Sequence, residues 1–399
     1  MIVLTYLLVA VVFVTLFALL VAAHEWGHYL SARMFRMGIE EFAIGMGKKI
    51  AVWRRRKQIL DDGTELETEY TIRLLPIGGF VRIRGMEPHE DGSETKVANG
   101  FYASHPWKRL VVLFAGPLFS LLAGVIVLTG LYSFSGIDRA VNKPVIGAVS
   151  EKGAAFQAGM LANDRVVSID GTPVNSFSEI VNKTYQSGGK PLSFVVERDS
   201  KLMTLMVTPI LAKGFRLDSN LEPLPGREDL YRLGVSFKME RVGLTFGEAL
   251  SEACSYPFKA IGGLLAIVKK PAIFEDSVGG PATIVSAVKS SVESSLYSVI
   301  SLGGLLSISL GIMNLLPIAP LDGGQMVMAF VELLRGGRRL SFKVQNAVMT
   351  AGFMMVMLLM VSILFVDFRR FTGGDPNKPT PPGATSTATP KPAATPATK

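Results

Sequence analysis

Residues 2–28 read IVLTYLLVAVVFVTLFALLVAAHEWGH, an uncharged run through Ala23 followed at once by His24-Glu25-Trp26-Gly27-His28. A helix needs about 20 apolar residues to cross a bilayer core, and 2–23 meets that length. The pentapeptide has the form HExxH. Two histidines four apart share one helical face, a spacing that suits zinc, and the glutamate beside the first can act as a base toward water. No basic stretch precedes the run and no small-residue cleavage site follows it, so it reads as a span rather than a secretory leader. A water-using motif therefore lies at the end of a membrane helix.

The remainder of the 399 residues is consistent with a membrane protein that carries polar parts. Half of the chain is hydrophobic (49%) and only 19% is charged, below the quarter usual in soluble chains. A single cysteine, Cys254, excludes an internal disulfide and a cysteine-based zinc site, so a metal would rest on histidine and carboxylate. Of four histidines, two fall in the motif; His89 and His105 fit no spacing pattern and read as surface residues.

Four uncharged apolar runs are long enough to span: 2–23, 110–137, 294–321 and 344–366. Arg33, Arg36, Lys48, Lys49 and 54–57 follow the first, Lys108 and Arg109 abut the second, and Arg335, Arg338, Arg339 and Lys343 separate the last two. By the positive-inside rule those two loops are cytoplasmic, which leaves both termini and 138–293 outside. The net charge of +8 is thus mainly a topology signal, and a nucleic-acid partner is excluded.

Within the first loop, Tyr70-Thr71-Ile72-Arg73-Leu74 and Phe80-Val81-Arg82-Ile83-Arg84 alternate around Pro76-Ile77-Gly78-Gly79, which predicts a β-hairpin over 69–86, membrane-reentrant or packed on the span ends. Beyond the second run, Val166–Ile169 and Thr172-Pro173-Val174 flank an Asp170-Gly171 turn, and Ser176 with Glu179 forms a capping box. A second hairpin is predicted across 198–201. With Ala158-Gly159-Met160 and Asp164 ahead of the first, 140–212 resembles a single PDZ domain, although Asn163 stands where that type usually has glycine; such domains bind extended peptides by strand addition. The segment 213–293 reads as membrane-surface, with an amphipathic helix near 243–270, and the Pro/Thr/Ala-rich tail 373–399 as disordered.

A two-histidine site needs a third protein ligand. Asp322, in Asn314-Leu315-Leu316-Pro317-Ile318-Ala319-Pro320-Leu321-Asp322-Gly323-Gly324, is the first acid after the third run, and the topology puts it on the membrane side that His24 and His28 share. Together, HEWGH, Leu75-Pro76-Ile77-Gly78-Gly79-Phe80, Ala115-Gly116-Pro117, Gly280-Pro281 and Leu321-Asp322-Gly323 resemble the site-2 protease family of intramembrane zinc metalloproteases, in its bacterial RseP-type branch. The resemblance covers the chain short of its tail.

It implies zinc (Zn2+) on His24, His28 and Asp322, Glu25 as base, and Asn314, Gly78, Gly79 and Phe80 against an extended substrate. It further implies a bacterial inner-membrane protein that cuts single-span anti-sigma factors or signal-peptide remnants. The expected fold is a polytopic α-helical membrane protein with four transmembrane helices: 1–32, 108–137, 294–334 and 344–367. A cytoplasmic segment 33–107 bears the hairpin, and one extracytoplasmic PDZ domain is expected. Three departures from the family pattern stand out, one being a PDZ domain that is single where its best-known members have two. Pro320 lies one place later than usual, and Ser120 stands where the family commonly has asparagine, which puts a polar role for that position in doubt. The competing reading is a non-catalytic membrane scaffold that recruits peptides; the intact Glu25 and ligand set count against it.

Overall fold

The computed structural model describes residues 2–87, 89–218, 221–271, 274 and 278–372, so the tail 373–399 and its expected disorder lie outside the described residues. The first helix, α1 (Ile2–Met34), runs unbroken through HEWGH: residues 2–37 contain no proline, and the one glycine among them, Gly27, lies within the helix. Its 33 residues span about 50 Å.

Two long strands follow, β1 (Ile39–Ile59) and β2 (Glu65–Ile83). Here the expected hairpin is corrected. Residues 70–74 and 80–83 do not pair with each other; 41–44 lie between them, aligned with 79–82 on one edge and with 69–72 on the other. The outer part of β1 then folds back on 65–73 as an antiparallel ribbon. The physical reason is backbone accounting. Ile39, Glu41, Phe42 and Ala43 are buried, and a buried strand with one open edge would leave its amides unpaired. Flanking it on both sides removes that cost, and the Pro76–Gly79 stretch becomes a wide connection rather than a tight turn.

The second long helix is α2 (Pro106–Ser135), opened by proline at its first turn. A small α+β unit follows. It contains β3 (Ile137–Ala140), β4 (Ile146–Val149), α3 (Ala154–Gln157), β5 (Arg165–Ile169), β6 (Thr172–Pro173), α4 (Phe177–Gln186), β7 (Leu192–Arg198) and β8 (Lys201–Val207). Both turns follow the sequence: Asp170 and Gly171, and Asp199 and Ser200, all have positive φ, as two-residue hairpins require. Asn163 also sits at φ 69°, a conformation asparagine tolerates in place of glycine.

The unit does not end at 212. It continues through β9 (Ile210–Leu217), β10 (Pro223–Arg232), β11 (Val235–Phe237) and β12 (Met239–Val242); β11 pairs with β4 and β12 with β3. Leu221 and Leu233 enter the core around Phe177, Phe194 and Met160. The boundary expected at 212 is therefore corrected to about 242, because β3 and β4 take their strand partners from β12 and β11.

Then come α5 (Phe246–Lys269), with a Thr245/Glu248 capping box, α6 (Pro281–Ser294), α7 (Leu296–Asn314), α8 (Asp322–Leu334) and α9 (Phe342–Thr372). Among the described residues, four helices are long and apolar enough to cross a membrane: α1, α2, α7 and α9. The stretch 294–334 is two helices rather than one. Pro317 and Pro320 lack an N–H to continue α7, which stops at Asn314, and Asp322 opens α8.

Helices α2 and α7 pack through small residues. A Cβ on Gly124 would stand 2.6 Å from the Gly304 carbonyl oxygen, and one on Gly304 would meet Leu128 at 2.7 Å. Close backbone approach of this kind is how helices associate where lipid offers no hydrophobic drive.

Candidate metal centre

Helix α1 places His24 and His28 on one face, turned toward α2 and α8, and both are buried. The opposite face of the same turn carries Trp26 and Tyr29, which pack on Phe42 and Tyr70 and so fix the sheet against α1. Asp322, in the first turn of α8, brings its Oδ2 to 3.1 Å from His24 Nε2 and 3.4 Å from His28 Nε2; the two Nε2 atoms are 3.3 Å apart. Among the described residues these three form the group able to hold a metal ion.

The outer nitrogens decide what the inner ones offer. His28 Nδ1 lies 2.8 Å from the Val112 carbonyl oxygen, which can only accept, so this nitrogen carries the proton and Nε2 keeps its lone pair. His24 Nδ1 is 3.0 Å from Ser120 Oγ, a hydroxyl able to accept in the same way. Two imidazole lone pairs and a carboxylate oxygen thus face one point. Without a cation they would repel, so the donor set fits a divalent metal. Zinc bonds of about 2.0–2.1 Å at tetrahedral angles separate ligand atoms by about 3.3–3.4 Å, close to the spacing found. Ser120, fully buried, is a partner that sequence reasoning left in doubt; its signal was its place one turn beyond Ala115-Gly116-Pro117.

Glycine is required here for space. A Cβ on Gly116 would come within 2.2 Å of His28 Nε2, and one on Gly27 within 2.2 Å of the Ala115 carbonyl oxygen. The loop before Asp322 is equally tight: a Cβ on Gly324 would stand 2.2 Å from the Ala319 nitrogen. These contacts set the spacing of α1, α2 and α8.

A cavity of about 240 Å³ opens on the three ligand atoms, bounded by Glu25, Phe80, Val81, Asn314 and Leu321 among others. Glu25 lies against Gly79, whose Cβ position is 3.6 Å from Glu25 Cγ and 2.8 Å from the Ala43 carbonyl oxygen. Phe80 is stacked by Arg73 at 4.8 Å and Arg82 at 5.5 Å. Arg73 is in turn held by both Glu41 oxygens, at 2.7 Å each. Burial raises the Glu41 pKa, but hydrogen bonds from Thr71 and Arg73 outweigh it and hold the carboxyl below its ordinary value. Asn314 reaches the cavity while its Nδ2 donates to the Leu310 carbonyl oxygen at 3.0 Å. Gly78, at φ 82°, packs on Met46 and does not line the cavity. His89 and His105 are exposed and away from the site.

The profile of peptidase family M50 matches residues 12–359. The chain is 28% identical to a Geobacillus kaustophilus protein named zinc metalloprotease RasP, over 90% of this chain and 97% of the relative. It is 29% identical to a Bartonella henselae protein named as a zinc metalloprotease, over 88% and 98% of the two chains. It is 28% identical to an Enterococcus faecalis protein named as a protease, eep, over 90% and 99%.

Proposed function

The chain belongs to peptidase family M50 and is a zinc metalloendopeptidase, and from that premise we propose that it cleaves peptide bonds inside membrane-spanning segments, with zinc held by His24, His28 and Asp322 and with Glu25 as general base. The observation that carries this reading is the convergence of three ligand atoms, 3.1–3.4 Å apart, at a cavity beside α1, α2 and α7, three of the helices apolar enough to span a bilayer. Such a site has its substrates in the membrane with it.

A helical substrate hides its amides in its own hydrogen-bond ladder, so it is unwound before cleavage. Among the described pairings, 79–83 is bonded along one side only, and Phe80, Val81 and Ile83 line the cavity. A substrate strand laid along that edge would satisfy its freed backbone groups. Asn314, its Nδ2 already engaged, keeps Oδ1 for a substrate N–H. Bound zinc supplies Lewis acidity, polarising a carbonyl and acidifying water. The Glu25 carboxylate takes the proton from the attacking water and passes it to the leaving nitrogen.

By the positive-inside rule this reading has the HEWGH end on the cytoplasmic side, with both termini and the small unit outside a bacterial inner membrane. In this reading the unit is a PDZ domain, read as closing at about 242. It admits single-span anti-sigma factors already trimmed outside, or signal-peptide remnants, and excludes intact proteins. The decisive variant is Glu25→Gln in the full chain. It should keep about one zinc per chain while cleavage of a single-span reporter disappears. Cleavage at the wild-type rate would remove Glu25 from the mechanism.

A further inference from the structure

We infer that Arg109 and Glu332 form a positioning clamp that holds Asp322 in register with the two histidines; the inference rests on the ligand assignment proposed above. Arg109 Nη2 donates to Glu332 Oε2 at 2.6 Å, and the two residues are only 3% and 2% exposed. The other oxygen, Oε1, accepts from the Leu340 backbone N–H at 2.8 Å, with Gln345 Nε2 at 3.5 Å. Gln345 Nε2 also donates to the Leu340 carbonyl oxygen at 2.8 Å. One carboxylate therefore joins α2, α8, the turn after α8 and the start of α9.

The geometry shows what such a joint controls. Arg109 lies one turn before Val112, whose carbonyl orients His28, on the helix whose Ser120 orients His24. Glu332 lies near the end of the helix that Asp322 opens, about 15 Å along its axis. Helix α8 follows α7 through the proline-interrupted stretch 315–321 rather than as a continuous helix, so its rotation and axial position about α2 are set by packing and by this bond. A buried ion pair is a weak source of stability, since a well-packed apolar pair does as well. Its directional bonds are what an apolar pair lacks, and the ligand atoms tolerate little drift: a displacement of about 1 Å can cost about 100-fold in rate.

The test uses the full chain in lipid nanodiscs, reading zinc dissociation constant by chelator competition, kcat and KM on a single-span reporter, and thermal midpoint. Glu332→Gln should weaken zinc by about tenfold or more and lower kcat by about 100-fold, with KM changed by less than about threefold. The double variant Arg109→Met/Glu332→Leu should recover the thermal midpoint but not zinc affinity or kcat. Glu332→Asp, which shortens the arm while keeping the charge, serves if either fails to fold and should show the same split in milder form. Wild-type zinc affinity and kcat in folded variants, or full recovery of both in the apolar double variant, would overturn the clamp. Asp322→Ala measured in parallel separates the premise: if it retains zinc, the ligand assignment fails; if it loses zinc while the Glu332 variants keep it, the clamp alone fails.

Discussion

Asp322 and Asp367 both sit at the margins of the apolar helices, and their surroundings put them to opposite uses. Asp322 faces two imidazole nitrogens whose protons point elsewhere, so its oxygen meets lone pairs. Asp367, near the end of α9, meets donors only: the backbone N–H groups of Gly280, Ala282 and Thr283 and the Thr283 hydroxyl, at 2.7–3.3 Å. It caps α6 from another helix, and Gly280 is needed because a Cβ there would stand 2.5 Å from its Oδ2. A carboxylate already saturated by donors is structural; one facing lone pairs calls for a cation.

Removing each carboxylate, or the partner of a ligand beside it, tests this contrast from the largest effect downward. Asp322→Ala should abolish cleavage and remove zinc from the purified protein, read by metal analysis; unchanged stoichiometry would show that the third ligand lies elsewhere. Ser120→Ala comes next: losing the partner of His24 Nδ1 should weaken zinc by about 10–100-fold in chelator competition, with Ser120→Asn recovering part of it. Affinity equal to wild type would make the 3.0 Å contact incidental. Asp367→Ala should leave zinc binding intact and cost about 1–3 kcal/mol of stability, measured by thermal unfolding in matched lipid, because buried donors lose their acceptor. Zinc loss in that variant would erase the distinction between the two aspartates.

Much of this was legible along the chain. The HExxH turn, the four apolar runs, the Asp170-Gly171 hairpin and the Ser176 cap depend on neighbours within a few residues, where local sterics and periodicity decide. Asp322 was reached as the first acid after the third apolar run, and charge bias then put it on the membrane side of His24. The order of strands around 39–44 escaped notice. Alternation in 70–74 and 80–84 fits a hairpin just as well, and the strand that separates them lies upstream. Likewise, nothing local announces that Val235–Phe237 completes a sheet begun at Ile146.

By itself, the sequence determined the chemistry: which residues can bind zinc, which can move a proton, and which segments cannot remain in water. Only the tertiary structure decided how that chemistry is held. The partners of the imidazole Nδ1 atoms, the space that Gly116 leaves beside His28, and the Arg109–Glu332 joint all link residues 84 to 223 positions apart. Contacts across such distances are set by how helices and strands pack, and packing has no local signature in the chain.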